Sequence, residues 1–425
     1  MAELKRVVIT GLGFITSIGN EAATVSSSLR QLRSGIAPWD FAGADQTCAV
    51  KVAGTIKDFD VASPFWSKWR YPDRYKFKPL ALRSTSPHGL FALCAMEQAL
   101  ADANLSTTEL QSEDTALFSC SAGSPFLLQN HLKAMHGTPD LRSSPMGVVS
   151  SISGTLNFNL GTHYHIRGGN CGFVSACASS SHAIGYAMDE VARGRFDRVI
   201  VVGAEEPNAD SLIPFMGMKA LSTNPDPAGA SRPFDTARDG FVGSGGATVV
   251  VVEAAACAAA RGVTPYAELL GWAQSSDGFN VAMPHPDGEG LVRAIRRTLR
   301  ACELEPNEIG YVNAHATSTR QGDAAEAAAL RTVFTSVGAH PLVSSTKGLT
   351  GHPLSMAGAM ETAFCALALK QGFVPGNTNL IDPDPACEGL NLPRTSLDQS
   401  PGVVLSNSSG FGGSNVVIAL GACSS

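Results

Sequence analysis

Val174-Ser175-Ala176-Cys177-Ala178-Ser179-Ser180 sets one cysteine among small residues, just ahead of Ala183, Ile184, Ala187, Met188 and Val191. Those apolar positions recur at helical spacing, which predicts a helix starting at or near Cys177 and running to about Arg193-Gly194. A thiol there feels the positive end of the helix dipole and unpaired backbone N–H groups, and both favour the thiolate. The same N–H groups can hold a developing oxyanion. The flanking Ala and Ser residues leave room for a bulky acyl group. These properties suit covalent acyl transfer.

Outward from this stretch, short buried strands alternate with helices. Strands are expected at 6–11, 115–120, 198–203 and 247–252, with helices at 21–34, 90–103 and 254–260. The run Val199-Ile200-Val201-Val202 is continuously apolar, as in a strand covered on both faces. The second half repeats the plan. Helices are expected at 291–302, 323–335 and 355–371, and strands at 309–313, 341–345, 403–407 and 416–420, the last two flanking a Gly-rich hairpin. This β-α-β rhythm predicts an α/β fold with a mostly parallel sheet covered on both faces. In each half a strand runs into a small-residue turn and then an Ala-rich helix, once at Cys177 and once at Lys347 to His352. The pattern reads as an internal duplication with halves 1–262 and 263–425. Two segments fit neither half: 59–87, rich in aromatic and basic residues, and 206–239, rich in Pro. Both read as insertions that cap a site or build an interface, with loose surface loops as the other reading.

The chain has 425 residues, 44% of them apolar, with 43 Gly and 24 Pro, enough for two average domains or one large duplicated one. A net charge of −6 argues against general nucleic-acid binding, although a local basic patch could receive an acidic partner. The ten cysteines are scattered without a CxxC pair, which suits reduced thiols in a cytoplasmic protein and gives no metal-ligand spacing. The opening Met1 to Gly11 lacks a secretory apolar region and reads as a strand entering a turn. No apolar run reaches the length of a membrane span; the longest candidate, 247–260, is interrupted by Glu253.

Two histidines have distinctive surroundings. His315 lies in Asn313-Ala314-His315-Ala316-Thr317-Ser318-Thr319, and His352 closes Ser344-Ser345-Thr346-Lys347-Gly348-Leu349-Thr350-Gly351-His352. Both belong to loops at strand ends, the edge of an α/β sheet where catalytic groups collect. His131, His136 and His340 read as surface residues, His163 and His165 as alternating positions of a strand, and His182 as structural. Gly11-Leu12-Gly13 begins like a dinucleotide fingerprint but lacks the third Gly, and no P-loop or HExxH is present.

Taken together, several stretches resemble the elongating β-ketoacyl-acyl carrier protein synthases of the thiolase superfamily. They are Val7 to Gly13, Ala176 to Ser179, Val202 to Glu206, Ser231 to Asp235 with Arg238 to Val242, Asn313 to His315, Ser345 to Lys347 with Thr350 to His352, and Gly410 to Asn415. They span nearly the whole chain in family order. The resemblance implies a duplicated α-β-α-β-α five-layer fold with capping insertions, and no cofactor or metal. It implies that Cys177 takes an acyl chain from acyl carrier protein as a thioester. His315 and His352 would then donate hydrogen bonds to the thioester carbonyl of a malonyl-carrier and favour decarboxylation. The resulting carbanion would attack the acyl-Cys177 carbonyl, with the N–H groups of Cys177 and Phe411 holding the oxyanion. Neutral imidazoles suffice, because loss of carbon dioxide itself generates the nucleophile. By the same resemblance Lys347 is the active-site lysine with an electrostatic role, and Glu361 a supporting carboxylate near it. The other reading of Glu361 is a solvent-facing helix residue. Thr317 and Thr319 resemble pantetheine contacts, Phe411 the gating phenylalanine, and Gly412 belongs to its turn. Phe215, with Met216 and Met218, is an acyl-pocket candidate that could equally be core or dimer contact.

The chain departs from the family pattern at Ala316 and Gly245, where Gly and an acidic residue are usual. It departs again at Arg320-Gln321, where Pro-Leu is common, and at Ser355-Met356, where Gly-Ala is usual. These departures keep open a specialised polyketide or polyene ketosynthase paired with a chain-length-factor subunit, beside a homodimeric fatty-acid enzyme. A thiolase or simple acyltransferase is disfavoured by the two histidines, and a non-catalytic partner subunit by the presence of Cys177.

Overall fold

The computed structural model describes residues 4–39, 48–138, 141 and 144–423. Its core is one ten-stranded sheet built from β1 (Val7–Ile15), β2 (Thr115–Cys120), β3 (Asn170–Gly172), β4 (Arg198–Glu205), β5 (Gly246–Ala254), β6 (Ala267–Ser276), β7 (Ile309–Asn313), β8 (Leu342–Ser344), β9 (Val403–Gly410) and β10 (Ser414–Gly421). The order across the sheet is β8-β7-β9-β10-β6-β1-β5-β4-β2-β3.

Each half contributes five strands in the same spatial order: first, fifth, fourth, second, third. The directions repeat as well. The first strand of each half pairs antiparallel with the fifth, and the fifth antiparallel with the fourth. The fourth pairs parallel with the second, and the second parallel with the third. The halves join where β1 runs antiparallel to β6. The duplication expected from the sequence is therefore present strand for strand, and the expected boundary at 262 falls between the helix Ala255–Ala260 and β6. The expectation of a mostly parallel sheet is corrected: the sheet is mixed. At one pair the cause is connection length. β9 and β10 are joined by three residues, Phe411 to Gly413, and a parallel crossover needs a dozen or more.

The helices around the sheet include α1 (Ala22–Gln31), α2 (Pro87–Asp102), α3 (Ser179–Ala192), α4 (Glu289–Ala301), α5 (Arg320–Val333) and α6 (Ala357–Gln371). Helices α3 and α6 pack on each other and touch strands of both halves, whereas α2 lies on the first half and α4 on the second. The strands sort their side chains by this layering with period two. Val199, Val201, Val250, Val252, Val416 and Ile418 face the central helices. Ile200, Val202, Val249 and Val251 face α2, and Leu405, Val417 and Ala419 face α4. Apolar residues at every position of a strand thus serve two separate cores, and five layers result.

Other local expectations differ. His163 lies on the helix Thr155–Tyr164 and His165 caps it at φ 54°, so the alternation read there as a strand was too short to fix a period. Strand β6 was not anticipated; its burial alternates only over its first half. The 59–87 segment packs Trp69 and Tyr75 into the core around α2. The 206–239 segment carries a one-turn helix, Ala209–Leu212, and a 3-10 turn, Ile213–Met218.

The two central helices meet at Gly358. A Cβ there would lie 2.0 Å from Ser181 Oγ and 2.5 Å from Ser181 N. Gly358→Val should therefore lower the unfolding free energy by about 1–3 kcal/mol through overpacking, read from the urea midpoint. An unchanged midpoint would show that α3 and α6 are not held at this separation.

Candidate active site

Three loops at strand ends converge. Cys177 follows β3, the third strand of the first half; His352 follows β8, the third strand of the second; His315 follows β7. Cys177 and His352 thus occupy duplicated positions, each ahead of a central helix, and the packing of those helices brings them together. His352 Nε2 stands 3.0 Å from Cys177 Sγ, and the imidazoles of His315 and His352 meet edge to face with centroids 5.3 Å apart.

The cysteine sits on a tight turn. Ala176 adopts φ 49°, a left-handed conformation that a side chain disfavours. Ser179 holds the turn by accepting from Ser175 N at 2.8 Å and donating to Ala176 O at 2.6 Å. Helix α3 begins two residues after Cys177, close to the expected start. His182 links Ser175 Oγ to Gln274 Oε1, 2.7 Å on either side, in keeping with its structural reading. Gly410 closes the other side of the turn: a Cβ there would lie 3.2 Å from Cys177 N and 2.6 Å from Ser175 O.

The thiol does not follow the simple dipole argument. Burial pushes it up to about 12, and the Lys347 charge opposes this only in part. The resting group is a thiol with His352 Nε2 within reach of its proton. Burial, together with nearby Lys347, also holds both histidines well below the usual imidazole range. They are neutral near pH 7, as the sequence reading required.

Lys347 and Glu361 are fully buried, and Lys347 Nζ donates to Glu361 Oε1. The reading of Glu361 as a solvent-facing residue is thereby overturned. Burial raises its carboxyl to about 7 despite the lysine. The loop bearing His315 is held by Glu326, whose carboxylate accepts from His315 N at 3.0 Å, Ala316 N at 2.7 Å and Asn407 Nδ2 at 3.0 Å. Asp323 accepts from Ser318 N at 3.1 Å and Phe234 N at 2.9 Å, and so supports Ser318 at φ 73°. Neither acid was singled out from the sequence. The signal was there: both stand in the buried stripe of α5 with Ala327, Leu330 and Val333, where an unpaired carboxylate would be prohibitively costly.

The loops line a cavity of about 540 Å³ that reaches Cys177, His315 and His352. Thr317, Thr319, Phe215, Met218 and Phe411 also line it, while Lys347 and Glu361 lie behind its wall. Met216 packs instead beside Phe215 in a small cluster with Leu212 and Phe241. Thr317 Oγ1 and Thr319 Oγ1 stand 3.2 Å apart. An aromatic series runs inward: Phe411 to Phe215 at 6.2 Å, Phe215 to Phe241 at 5.4 Å, and Phe241 to His352 at 5.4 Å between centroids. Phe411 is 39% exposed at the outer end. Gly412, at φ 81°, ties its turn to Val281 O through a 2.9 Å bond. Of the insertions, 206–239 reaches the cavity and 59–87 does not.

Three of the departures have local explanations. Ala316 has no left-handed φ and is bonded at both its N and O, so glycine is not required. Gly245 has no room for a side chain, because a Cβ would lie 2.5 Å from Glu205 O and 2.8 Å from Pro207 Cδ. Met356 is fully buried and lies over Gly203, where a Cβ would come 3.0 Å from Met356 Cα.

Residues 4–258 match the Beta-ketoacyl synthase N-terminal domain, and residues 266–381 match the Beta-ketoacyl synthase C-terminal domain. The chain belongs to the β-ketoacyl synthase family. It is 36% identical over 422 residues to the 3-oxoacyl-(acyl-carrier-protein) synthase 1 of Escherichia coli, covering 98% of this chain and 99% of that one. Among solved structures, a β-ketoacyl synthase from Burkholderia phymatum superposes with a TM-score of 0.89 at 29% identity, over 99% of this chain and 100% of that one. The ishigamide ketosynthase/chain length factor superposes at 0.86 with 28% identity, over 99% and 100%. The chain is thus an acyl-transferring enzyme with the thiolase-like fold.

Substitution and pH test these electrostatics. Lys347→Ala leaves Glu361 buried without its partner and should cost roughly 3–5 kcal/mol of stability, whereas Lys347→Met with Glu361→Leu should regain most of it. Equal unfolding midpoints for the single and double variants would contradict the buried pair. The histidines act on pH dependence: the unfolded chain protonates them near 6.5 and the folded chain does not, so they withdraw stability as pH falls below 6.5. Between pH 6.5 and 5.5 the wild type should lose up to roughly 2 kcal/mol more than His315→Asn/His352→Asn, and parallel pH profiles would refute it.

Proposed function

We propose that the protein is a β-ketoacyl-acyl carrier protein synthase that extends an acyl chain by two carbons. The observation that carries this reading is the pair of neutral histidines beside a half-buried cysteine in one cavity.

In the loading step the acyl carbonyl of the carrier thioester is attacked by Cys177 Sγ. The thiol proton passes through His352 Nε2, 3.0 Å away, to the departing carrier thiolate. Once acylated, Sγ has no proton to offer, and the neutral ring changes tautomer, giving up its Nδ1 proton and taking one at Nε2 by exchange with solvent, so that Nε2 becomes a donor. The malonyl thioester carbonyl then accepts from His315 and His352. Its carboxylate leaves as carbon dioxide, and the electron pair of the broken C–C bond remains as an enolate. That carbon attacks the acyl-Cys177 carbonyl, whose oxygen is held by the N–H groups of Cys177 and Phe411. The C–S bond breaks, and Sγ takes a proton from solvent. Lys347 supplies positive potential from behind the cavity wall, where low polarizability strengthens its effect. Thr317 and Thr319 are proposed to contact the pantetheine arm, Phe215 the acyl chain, and Phe411 with Gly412 to gate entry.

The partner is acyl carrier protein, loaded with acyl or malonyl groups, and the proposed place of action is the cytoplasm. Among the described residues no helix is long and apolar enough to cross a membrane. A dimer is proposed through the sheet edge at β3, whose three residues are exposed, followed by Val174 at 79% exposure. The likeness to the ishigamide ketosynthase/chain length factor favours a second reading, a specialised polyketide or polyene ketosynthase with a chain-length-factor partner.

Cys177→Ala should abolish condensation while the fold is kept; condensation at the wild-type rate would sink the assignment. His315→Ala should leave acyl loading of Cys177 nearly intact and His352→Ala should slow it less than decarboxylation, while malonyl decarboxylation falls on the order of 10²-fold or more in either variant. Mass spectrometry of the protein with a panel of acyl-carrier thioesters reads both the loading and the chain length retained.

A further inference from the structure

A buried carboxyl that the proposed chemistry does not use stands behind the turn after His352. Glu205, the last residue of β4, is fully buried, and burial raises its carboxyl to about 7. Its Oε1 accepts from Ala122 N at 3.0 Å and from Ser355 Oγ. Ser355 lies three residues past His352, in the 3-10 turn Leu354–Met356. Its carbonyl accepts from Ser180 Oγ at 2.7 Å, and Ser180 Oγ accepts in turn from Ala359 N at 2.9 Å. Ser180 lies three residues past Cys177. The turn after the histidine is therefore fastened both to the helix that follows the cysteine and to the sheet behind it.

The turn needs fastening. Leu354 adopts φ 51°, a left-handed conformation costly for a branched side chain, and it lines the cavity beside His352. Two of the chain's departures from its family meet here. Gly245 abuts the Glu205 carbonyl, and Ser355, where the family pattern has glycine, bonds the Glu205 carboxyl. The neighbouring Glu206 is engaged elsewhere, with His88 Nδ1 at 2.9 Å and Asn208 Nδ2 at 2.7 Å. Glu205 is thus left to hold Ser355.

We propose that Ser355 is a positioning residue: its hydroxyl, anchored on Glu205, fixes the Leu354 turn and so the placement of His352 against Cys177 Sγ. A hydrogen bond to a carboxylate is strong enough to hold a strained turn, and catalytic groups must be held to within about 0.5 Å. This rests on the decarboxylative reading above, which the wild-type enzyme tests by itself through its two half-reactions.

The experiment compares Ser355→Ala and Ser355→Thr with wild type. In Ser355→Ala, malonyl decarboxylation should fall on the order of tenfold in kcat with KM unchanged, while acyl loading, which uses His352 only to relay the thiol proton, falls by no more than about threefold. Ser355→Thr, which keeps the hydroxyl, should recover the rate. Glu205→Gln keeps an acceptor oxygen and should stay within about threefold of wild type. Alkylation of Cys177 by iodoacetamide, followed by peptide mass, reads the His352 contact without any carrier substrate. Its rate should shift several-fold in Ser355→Ala and return in Ser355→Thr. A wild-type enzyme inactive in both half-reactions would overturn the functional reading alone, leaving alkylation to judge Ser355. Unchanged alkylation and decarboxylation in Ser355→Ala, equal loss of both half-reactions, failure of Thr to rescue, or tenfold loss in Glu205→Gln would each overturn the positioning role.

Discussion

Everything at the site depends on how closely α3 and α6 approach. Gly358 leaves no space between its backbone and Ser181, and Ser180 reaches across to Ser355 O and Ala359 N. Ser181 Oγ also meets Ser408 Oγ at 2.7 Å, which draws β9 and the Gly410 turn toward Cys177. Because each central helix comes directly after a catalytic loop, their separation sets the 3.0 Å distance between Cys177 Sγ and His352 Nε2. Small residues at this seam are therefore functional as well as structural. They let two backbones from different halves come close enough for two side chains to share a proton.

The electrostatics of the site arise from burial. A thiol, two imidazoles, a lysine and the buried carboxyls of Glu205, Asp323, Glu326 and Glu361 lie in or behind one cavity wall, and burial disfavours the charged form of each group whose shift is resolved. The outcome is a neutral nucleophile and neutral hydrogen-bond donors around the buried Lys347–Glu361 contact. Such a site cannot rely on a strong base. Decarboxylation suits it, since the carbanion comes from a breaking C–C bond rather than from proton abstraction. Glu326 supports this arrangement by spending its carboxylate on the backbone of the His315 loop, which fixes the ring without charging it.

Around the His352 turn, departures from the family's pattern meet in space. Met356 lies over Gly203, the missing side chain at Gly245 is a matter of space against Glu205 and Pro207, and Ser355 takes Glu205 as its partner. These positions surround the His352 turn and the Leu354 wall of the cavity, so their effects fall on placement of the histidine and on the shape of the space offered to the chain.

Much of this was legible in the sequence. The cysteine turn, the two histidine loops, the repeated strand-turn-helix plan and most element positions are local signals: apolar periodicity, glycines and small residues at turns. The mixed strand directions were not, because direction depends on which strands become neighbours. The roles of Glu361, Glu326, Asp323 and Glu205 were hidden or ambiguous for the same reason: a carboxylate on a helix or at a strand end reads alike whether it meets water or a buried partner. The sequence by itself determined the chemical groups and the duplicated framework, since these are written in residue type and spacing. Only the tertiary structure decided that Cys177, His315 and His352 share one cavity as neutral groups, because charge state and contact depend on burial and on helices that meet across the two halves.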